Sequence, residues 1–133
     1  MVSGLSHITF VVKDLEKTAE FLVNIFDANE VYSSGDKTYS VSREKFFLIG
    51  NIWIAIMEGN SLSERSYNHI AFQISEDEYD GYIERIERAG AQIKETRPRE
   101  EGEGRSIYFY DFDNHLFELH TGTLAEHLKC YSV

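Results

Sequence analysis

Hydrophobic alternation opens this chain and returns, at nearly the same register, in its second half. Leu5 to Val12 alternates, with His7, Thr9 and Val11 on one face and Ile8, Phe10 and Val12 on the other, which is the period of a β-strand. Asp14 follows as a helix N-cap, and Leu15, Ala19, Leu22 and Phe26 then recur at helical spacing. Glu30 to Ser33 and Lys37 to Ser42 read as short strands around the Ser34-Gly35-Asp36 turn. The long apolar stretch from Lys45 to Glu58, interrupted by Gly50-Asn51, reads as two strands joined by a tight turn. Asn60 to Ser66 is polar and irregular, as a linker is.

The plan is then repeated. His69 to Ile74 is a strand, Ser75-Glu76-Asp77-Glu78 is a capping box, and Tyr79, Tyr82, Ile83, Ile86 and Ala89 form the stripe of a helix ending at Gly90. Ala91 to Glu95 is a short strand, and Arg97 to Gly104 a charged loop of the kind that carries binding groups. Ser106 to Tyr110 and His115 to His120 are strands flanking Asp111-Phe112-Asp113-Asn114, and Thr123-Leu124-Ala125-Glu126 caps a C-terminal helix. Each half therefore reads as strand, helix and three strands, and repeats too small to close a core singly are expected to pair. The expected fold is α+β, two βαβββ modules forming a curved mixed sheet with a concave face. Residues 1–133 make a single domain: module one over about 4–59, a linker at 60–66, module two over about 67–122, and a helix at 123–131.

Composition narrows the partners. A formal charge of −10 argues against nucleic acid or an anionic membrane surface, since both need clustered cations. A small anionic ligand remains open where arginines converge. No apolar run is long enough to span a membrane, no start resembles a signal peptide, and the one cysteine, Cys130, excludes an internal disulfide. A cytoplasmic protein is expected.

The repeat also places chemistry. Ser6-His7-Ile8-Thr9-Phe10 and Asn68-His69-Ile70-Ala71-Phe72 each set a histidine at the start of a strand. A lone strand histidine is usually a structural residue with a hydrogen-bond partner, but two at one register point to a shared role. Aligning the turns Gly50-Asn51 and Asp113-Asn114 puts Leu116-Phe117-Glu118 against Trp53-Ile54-Ala55. Glu118, between Phe117 and Leu119, is costly to bury without a cation or a donor, and its counterpart Ala55 cannot ligate. The repeat thus offers three metal ligands, His7, His69 and Glu118, with further positions open as a catalytic metal requires. That set accepts Mn²⁺, Fe²⁺, Co²⁺, Ni²⁺ or Zn²⁺. His120 shares the face of Glu118 and is expected beside the ligands, whereas His115 ends a strand.

These residues resemble the vicinal oxygen chelate superfamily, which includes glyoxalase I and extradiol dioxygenases. Tyr67-Asn68-His69-Ile70-Ala71-Phe72, Arg105-Ser106-Ile107-Tyr108-Phe109-Tyr110-Asp111 and Asp113-Asn114-His115-Leu116-Phe117-Glu118-Leu119-His120 are similar to fosfomycin resistance proteins, and Ser42-Arg43-Glu44-Lys45-Phe46-Phe47-Leu48-Ile49 narrows the likeness to the FosX type. The likeness runs from Met1 to the last helix. It implies an Mn²⁺-dependent hydrolase that opens the epoxide of fosfomycin with water to a diol phosphonate, without a thiol cosubstrate. It implies a domain-swapped homodimer, with His7 from one subunit and His69 and Glu118 from the other. It also assigns Glu44 as general base, although by spacing alone Arg43-Glu44-Lys45 reads as a solvated turn.

Softer contacts follow. Thr9 shares the face of His7 and is placed to donate to a substrate oxygen. Ser106 and Tyr108 share a strand face suited to the phosphonate, and Trp53 and Tyr67 line the pocket. Arg97, Arg99 and Arg105 are candidates for neutralising the dianion, since guanidinium pairs well with phosphonate oxygens. Two features depart from the family pattern. The loop Glu100-Glu101-Gly102-Glu103-Gly104-Arg105 lacks the serine and aspartate that hold K⁺ in thiol-transferring relatives, so no K⁺ requirement is expected. His127 stands where the pattern favours arginine, which implies a substrate contact that is weaker or more dependent on pH. Three other functions compete: a thiol transferase acting on fosfomycin, a different metalloenzyme of the superfamily, and a non-catalytic sequestering protein. Glu44 argues against the first, and an intact ligand set against the last.

Overall fold

The computed structural model describes residues 1–94, 102 and 104–132. Chain contacts divide it into two compact units, Met1–Ser63 with Phe112–Asn114, and Glu64–Asp111 with His115–Val133. Hydrogen bonding sorts the strands into two four-stranded mixed sheets.

The first unit contains β1 (His7–Val12), α1 (Leu15–Phe26), β2 (Asn29–Ser33), β3 (Glu44–Ile49) and β4 (Ile52–Glu58), in the sheet order β1-β4-β3-β2. β1 runs parallel to β4, and the other pairings are antiparallel. The Asp14 carboxylate accepts from the Lys17 N–H at 3.1 Å, satisfying one of the donors a helix start leaves open. The expected stripe Leu15, Ala19, Leu22 and Phe26 is buried, and Thr18, Phe21 and Ile25 join it. Strand alternation sends Val12, Phe47, Ile54 and Ile56 to the face that α1 covers, and each is fully buried. The opposite face carries His7, Thr9, Trp53, Ala55, Glu44 and Phe46.

Two local features differ from the sequence pattern. Lys37 to Ser42 forms no strand. The Lys37 N–H continues the turn by donating to the Ser34 carbonyl at 3.1 Å, and Tyr39 and Val41 lie 68% and 86% exposed, so the segment has no buried face to pair through. Three strands therefore follow α1. Within β2, Glu30 pairs with Phe47 but Tyr32 pairs with Phe46, so Val31 is an extra residue. Simple alternation would put Glu30 and Tyr32 on one face. The bulge instead leaves Glu30 on the α1 side, where it meets Lys45 at 3.0 Å, and turns Tyr32 to the side of Glu44 and Phe46.

The second unit repeats the architecture with β5 (His69–Gln73), a 3₁₀ turn at Glu76–Glu78, α2 (Tyr79–Arg88), β6 (Gln92–Lys94), β7 (Ser106–Tyr110), β8 (Leu116–His120) and α3 (Leu124–Tyr131). Its sheet order is β5-β8-β7-β6, with β5 parallel to β8. Ser75 and Glu78 form the expected reciprocal cap, and Ser75 holds the Glu78 carboxyl below the usual range. Ile86, Ile107, Phe109, Phe117 and Leu119 fill the core, where the Phe109 and Phe117 rings stack at 5.7 Å. The other face carries His69, Ala71, Leu116, Glu118, His120, Tyr108 and Ser106.

The two registers coincide. His7 lies opposite Trp53 and Thr9 opposite Ala55, just as His69 lies opposite Leu116 and Ala71 opposite Glu118. Carried outward, the same register makes Glu44 the counterpart of Ser106, Phe46 that of Tyr108 and Tyr32 that of Lys94.

Where β7 begins, Arg105 and Thr121 exchange hydrogen bonds, the Arg105 N–H to Thr121 Oγ1 at 2.9 Å and the Thr121 N–H to the Arg105 carbonyl at 3.0 Å. Gly104 just before them has φ +86°, and a Cβ there would lie 2.7 Å from the Gly122 nitrogen. Gly104→Ala is expected to lower stability by about 2 kcal/mol, read as a shift of the urea unfolding midpoint without a change in slope.

Candidate functional site

In the second unit the expected ligands face each other. The Glu118 side chain is 9% exposed, and its Oε1 lies 3.0 Å from His69 Nε2. His69 Nδ1 sits 2.7 Å from the Tyr67 carbonyl oxygen, which can only accept, so that nitrogen carries the ring proton. A neutral imidazole then turns the Nε2 lone pair toward a carboxylate oxygen. Two lone pairs at that distance repel unless a cation lies between them, either a second ring proton or a metal ion. The donor set, an oriented imidazole and a buried carboxylate, fits a divalent transition metal.

Glu118 Oε2 is held from the other side. The Ser106 hydroxyl donates to it at 2.6 Å, and the same oxygen contacts His120 Nδ1 at 2.7 Å. His120 Nδ1 itself is 3.4 Å from Glu118 Oε2, where sharing a strand face placed it. His120 Nε2 meets His127 Nε2 at 2.8 Å, and His127 Nδ1 meets the Tyr131 hydroxyl at 3.3 Å. Both ring nitrogens of His127 are thus engaged by protein groups. His115, by contrast, is taken up just before β8, where its backbone N–H and its Nδ1 meet the Asp111 carboxylate at 2.8 and 2.7 Å.

The rest of this face is aromatic and cationic. The Tyr67 hydroxyl contacts that of Tyr108 at 3.1 Å, and both rings flank His69, at 4.8 and 5.4 Å. Lys94 shares the face of Tyr108 by register, with its amino group 5.6 Å from the centre of the Tyr67 ring, and Arg65 lies 3.9 Å over Tyr110. Both cations escaped the sequence reading. For Lys94 the signal was present, since Gln92-Ile93-Lys94 alternates. Arg105, expected near the phosphonate, is engaged elsewhere: its Nε donates to Glu76 at 2.5 Å and its guanidinium stacks on Tyr79 at 3.8 Å. That pairing compensates its charge. Arg97, Arg99 and most of the loop on which the K⁺ argument rests lie outside the described residues.

In the first unit, His7 Nδ1 contacts the Ser6 hydroxyl at 2.9 Å, and its ring lies 4.3 Å from that of Trp53. Phe46 packs edge-on against Trp53 at 5.2 Å and against Tyr32 at 4.8 Å, giving a ring series from His7 to Tyr32. The Trp53 indole nitrogen is buried with no hydrogen-bond partner among the described residues.

Glu44 opens β3 on this same face and is 9% exposed. The Ser34 hydroxyl accepts from its backbone N–H at 3.0 Å, but no side-chain hydrogen bond or ion pair engages its carboxylate among the described residues. The flanking cations point elsewhere. Arg43 is paired with Glu58, raising the guanidinium and lowering the carboxyl. Lys45 bridges Glu16 and Glu30 at 3.3 and 3.0 Å; burial disfavours its charge, but those two carboxylates outweigh it and hold the amine above its ordinary value. The Tyr32 phenol is pushed up, by burial first and then by the negative charge of Glu44, so Tyr32 stays neutral beside the carboxylate.

A cavity of about 730 Å³ lies beside the start of α1, lined by Lys13, Lys17, Arg43, Lys45 and Glu58 among others. Its charges are largely satisfied by one another, and none of the expected ligands borders it. Among the described residues, no group of three or more His, Cys, Asp or Glu side chains in one chain forms a metal-holding cluster. Among the same residues no helix is long and apolar enough to cross a membrane.

Known proteins match this geometry closely. A family model described as the Glyoxalase/Bleomycin resistance protein/Dioxygenase superfamily matches residues 4–119. The fosfomycin resistance protein FosX of Listeria monocytogenes is 69% identical, with 98% of each chain covered, and that of Mesorhizobium japonicum is 61% identical over 96% of this chain and 92% of the relative. The metallothiol transferase FosB of Shouchella clausii is more distant, at 40% identity over 98% of this chain and 88% of its own. A solved structure of a Listeria monocytogenes FosX mutant complexed with Mn(II) and 1S,2S-dihydroxypropylphosphonic acid superposes with a TM-score of 0.90 at 65% identity, covering 98% of this chain and 99% of that one. Register, paired histidines and full-length likeness agree: the chain belongs to the glyoxalase/bleomycin resistance/dioxygenase superfamily and, within it, to the FosX fosfomycin resistance proteins.

Proposed function

We propose that this protein inactivates fosfomycin by adding water across its epoxide, giving the diol phosphonate. The observation that carries the reading is Glu44: a buried carboxylate with no side-chain partner among the described residues, on the sheet face that also holds His7 and Thr9. Such a group costs free energy to bury, and taking a proton from water is a use that repays the cost. The diol phosphonate complexed with a FosX relative is the product expected of water attack.

In this reading His69 and Glu118 of one subunit, with His7 of another, hold Mn²⁺ in a domain-swapped homodimer. The bound ion supplies Lewis acidity for the ring oxygen and positive charge for the phosphonate. Glu44 takes one proton from the attacking water as the new C–O bond forms and the ring C–O bond breaks. The Thr9 hydroxyl, on the His7 face, donates a hydrogen bond to the released oxygen, which takes its proton from solvent while Glu44 returns its own to solvent. Lys94, Arg97 and Arg99 attract the dianion, Tyr67, Tyr108 and Ser106 line its path, and the Trp53 indole N–H supplies an unused donor. A thiol-dependent reaction, as the name of the FosB relatives suggests for them, requires no base for water and leaves Glu44 unexplained.

Four outcomes are expected. With Mn²⁺ and fosfomycin, ³¹P NMR should show the diol at the same rate with and without glutathione; an adduct formed only with the thiol overturns hydrolysis. Glu44→Gln should lower kcat by at least about 100-fold. Because Trp53 is the one tryptophan and its ring lies 4.3 Å from His7, Mn²⁺ should quench its emission in native protein and in Glu44→Gln, but not in His7→Ala. Mixing inactive His7→Ala with inactive Glu118→Ala should restore activity, since one mixed-dimer site regains all three ligands; no recovery after confirmed subunit exchange argues against the shared site.

A further inference from the structure

The hydrogen bonds running from Glu118 to α3 have a direction. Carboxylate oxygens only accept, so the Ser106 hydroxyl spends its single proton on Glu118 Oε2, 2.6 Å away. Ser106 Oγ must then accept from His120 Nδ1 at 2.7 Å, which places the ring proton there and leaves Nε2 as an acceptor. Across 2.8 Å, His127 Nε2 therefore donates, and His127 Nδ1 is left to accept from the Tyr131 hydroxyl at 3.3 Å. One assignment of protons, with both imidazoles neutral, makes all four contacts.

We propose that Ser106, His120, His127 and Tyr131 form a positioning relay for Glu118, through which α3 sets the affinity of the metal site; the inference rests on Glu118 being a metal ligand. A glutamate carboxylate turns easily about its last torsion. A fixed donor on Oε2 removes that freedom and keeps Oε1 aimed at His69 Nε2, 3.0 Å away. Ser106 alone is a hydroxyl free to rotate, and His120 orients it. His120 in turn is oriented by His127, one turn of α3 before Tyr131, and the helix is anchored by the Thr123 cap on the Glu126 N–H at 3.2 Å. A neutral imidazole at position 127 donates to His120 and accepts from Tyr131, whereas a guanidinium, with donors only, would reverse the last bond and make Tyr131 the acceptor.

The relay and a direct substrate contact differ in what they change. His127→Leu is expected to weaken Mn²⁺ binding by about tenfold or more, followed by the EPR signal of free Mn²⁺. The fosfomycin KM at saturating Mn²⁺ and the thermal midpoint should stay native. His127→Gln, which can donate and accept, should recover part of the affinity. Tyr131→Phe, which keeps its ring at the exposed helix end, should weaken it in the same direction and serves if His127→Leu fails to fold. Native Mn²⁺ affinity in both His127→Leu and Tyr131→Phe, or a raised KM with unchanged Mn²⁺ affinity, overturns the relay. Glu118→Ala separates the two levels: if it retains native Mn²⁺ affinity the ligand assignment fails, and if it loses affinity while the α3 variants do not, the relay alone fails.

Discussion

Parallel pairing of the first and last strand in each unit, at one register, is the constraint on which everything else in this molecule depends. Parallel neighbours cannot be joined by a tight turn, so the chain between them must make an excursion, here a helix and two further strands. The excursion covers one face of the sheet and leaves the other bare. A residue placed early in the first strand is thereby set beside one placed late in the unit, and this brings His69 and Glu118 together across 49 positions of sequence. A slip of one residue would send both into the apolar core.

The two faces divide the electrostatic tasks. On the α1 side, Arg43, Lys45, Glu16, Glu30 and Glu58 compensate one another in a partly solvated cluster, an arrangement that contributes little to stability but keeps those charges off the other face. On the opposite faces the Glu44 carboxylate stands without a side-chain partner among the described residues, and Glu118 meets His69 and the Ser106 hydroxyl. Satisfied charge serves the fold, and unsatisfied charge is left for chemistry.

Much of this was legible in the amino-acid order because alternation and capping are local. The strands bearing His7, His69 and Glu118, the Ser75 capping box, the Thr123 cap and the α1 stripe follow from local patterns, the strands and stripe from periods of two and 3.6 residues. Aligning two turns even recovered the inter-strand register, although the loops differ: Ile49 pairs with Ile52 across two residues, and Tyr110 with Leu116 across five. What escaped was non-local. Arg105 reads as a free cation until Glu76 and Tyr79, far away in sequence, are seen beneath it. His127 reads as a ligand-facing group until His120 is found against it. Glu44 looked unrelated to the repeat, yet register makes it the equivalent of Ser106, so the same position holds the proposed base in one unit and the hydroxyl that donates to Glu118 in the other.

The bulge at Val31 carries a wider implication. In a strand, the inserted residue acts on geometry as a frameshift acts on a reading frame: everything beyond it changes face while everything before it is conserved. Tyr32 stands beside Glu44, rather than beside Lys45 in the salt-bridge cluster, because of that one extra residue. Gain or loss of a single codon in β2 would therefore exchange a neutral phenol for a different neighbour at the base in one step, with the core untouched. A lineage of such proteins can thus re-tune the group beside the Glu44 carboxylate by changing length, a route that comparison of substitutions alone would miss.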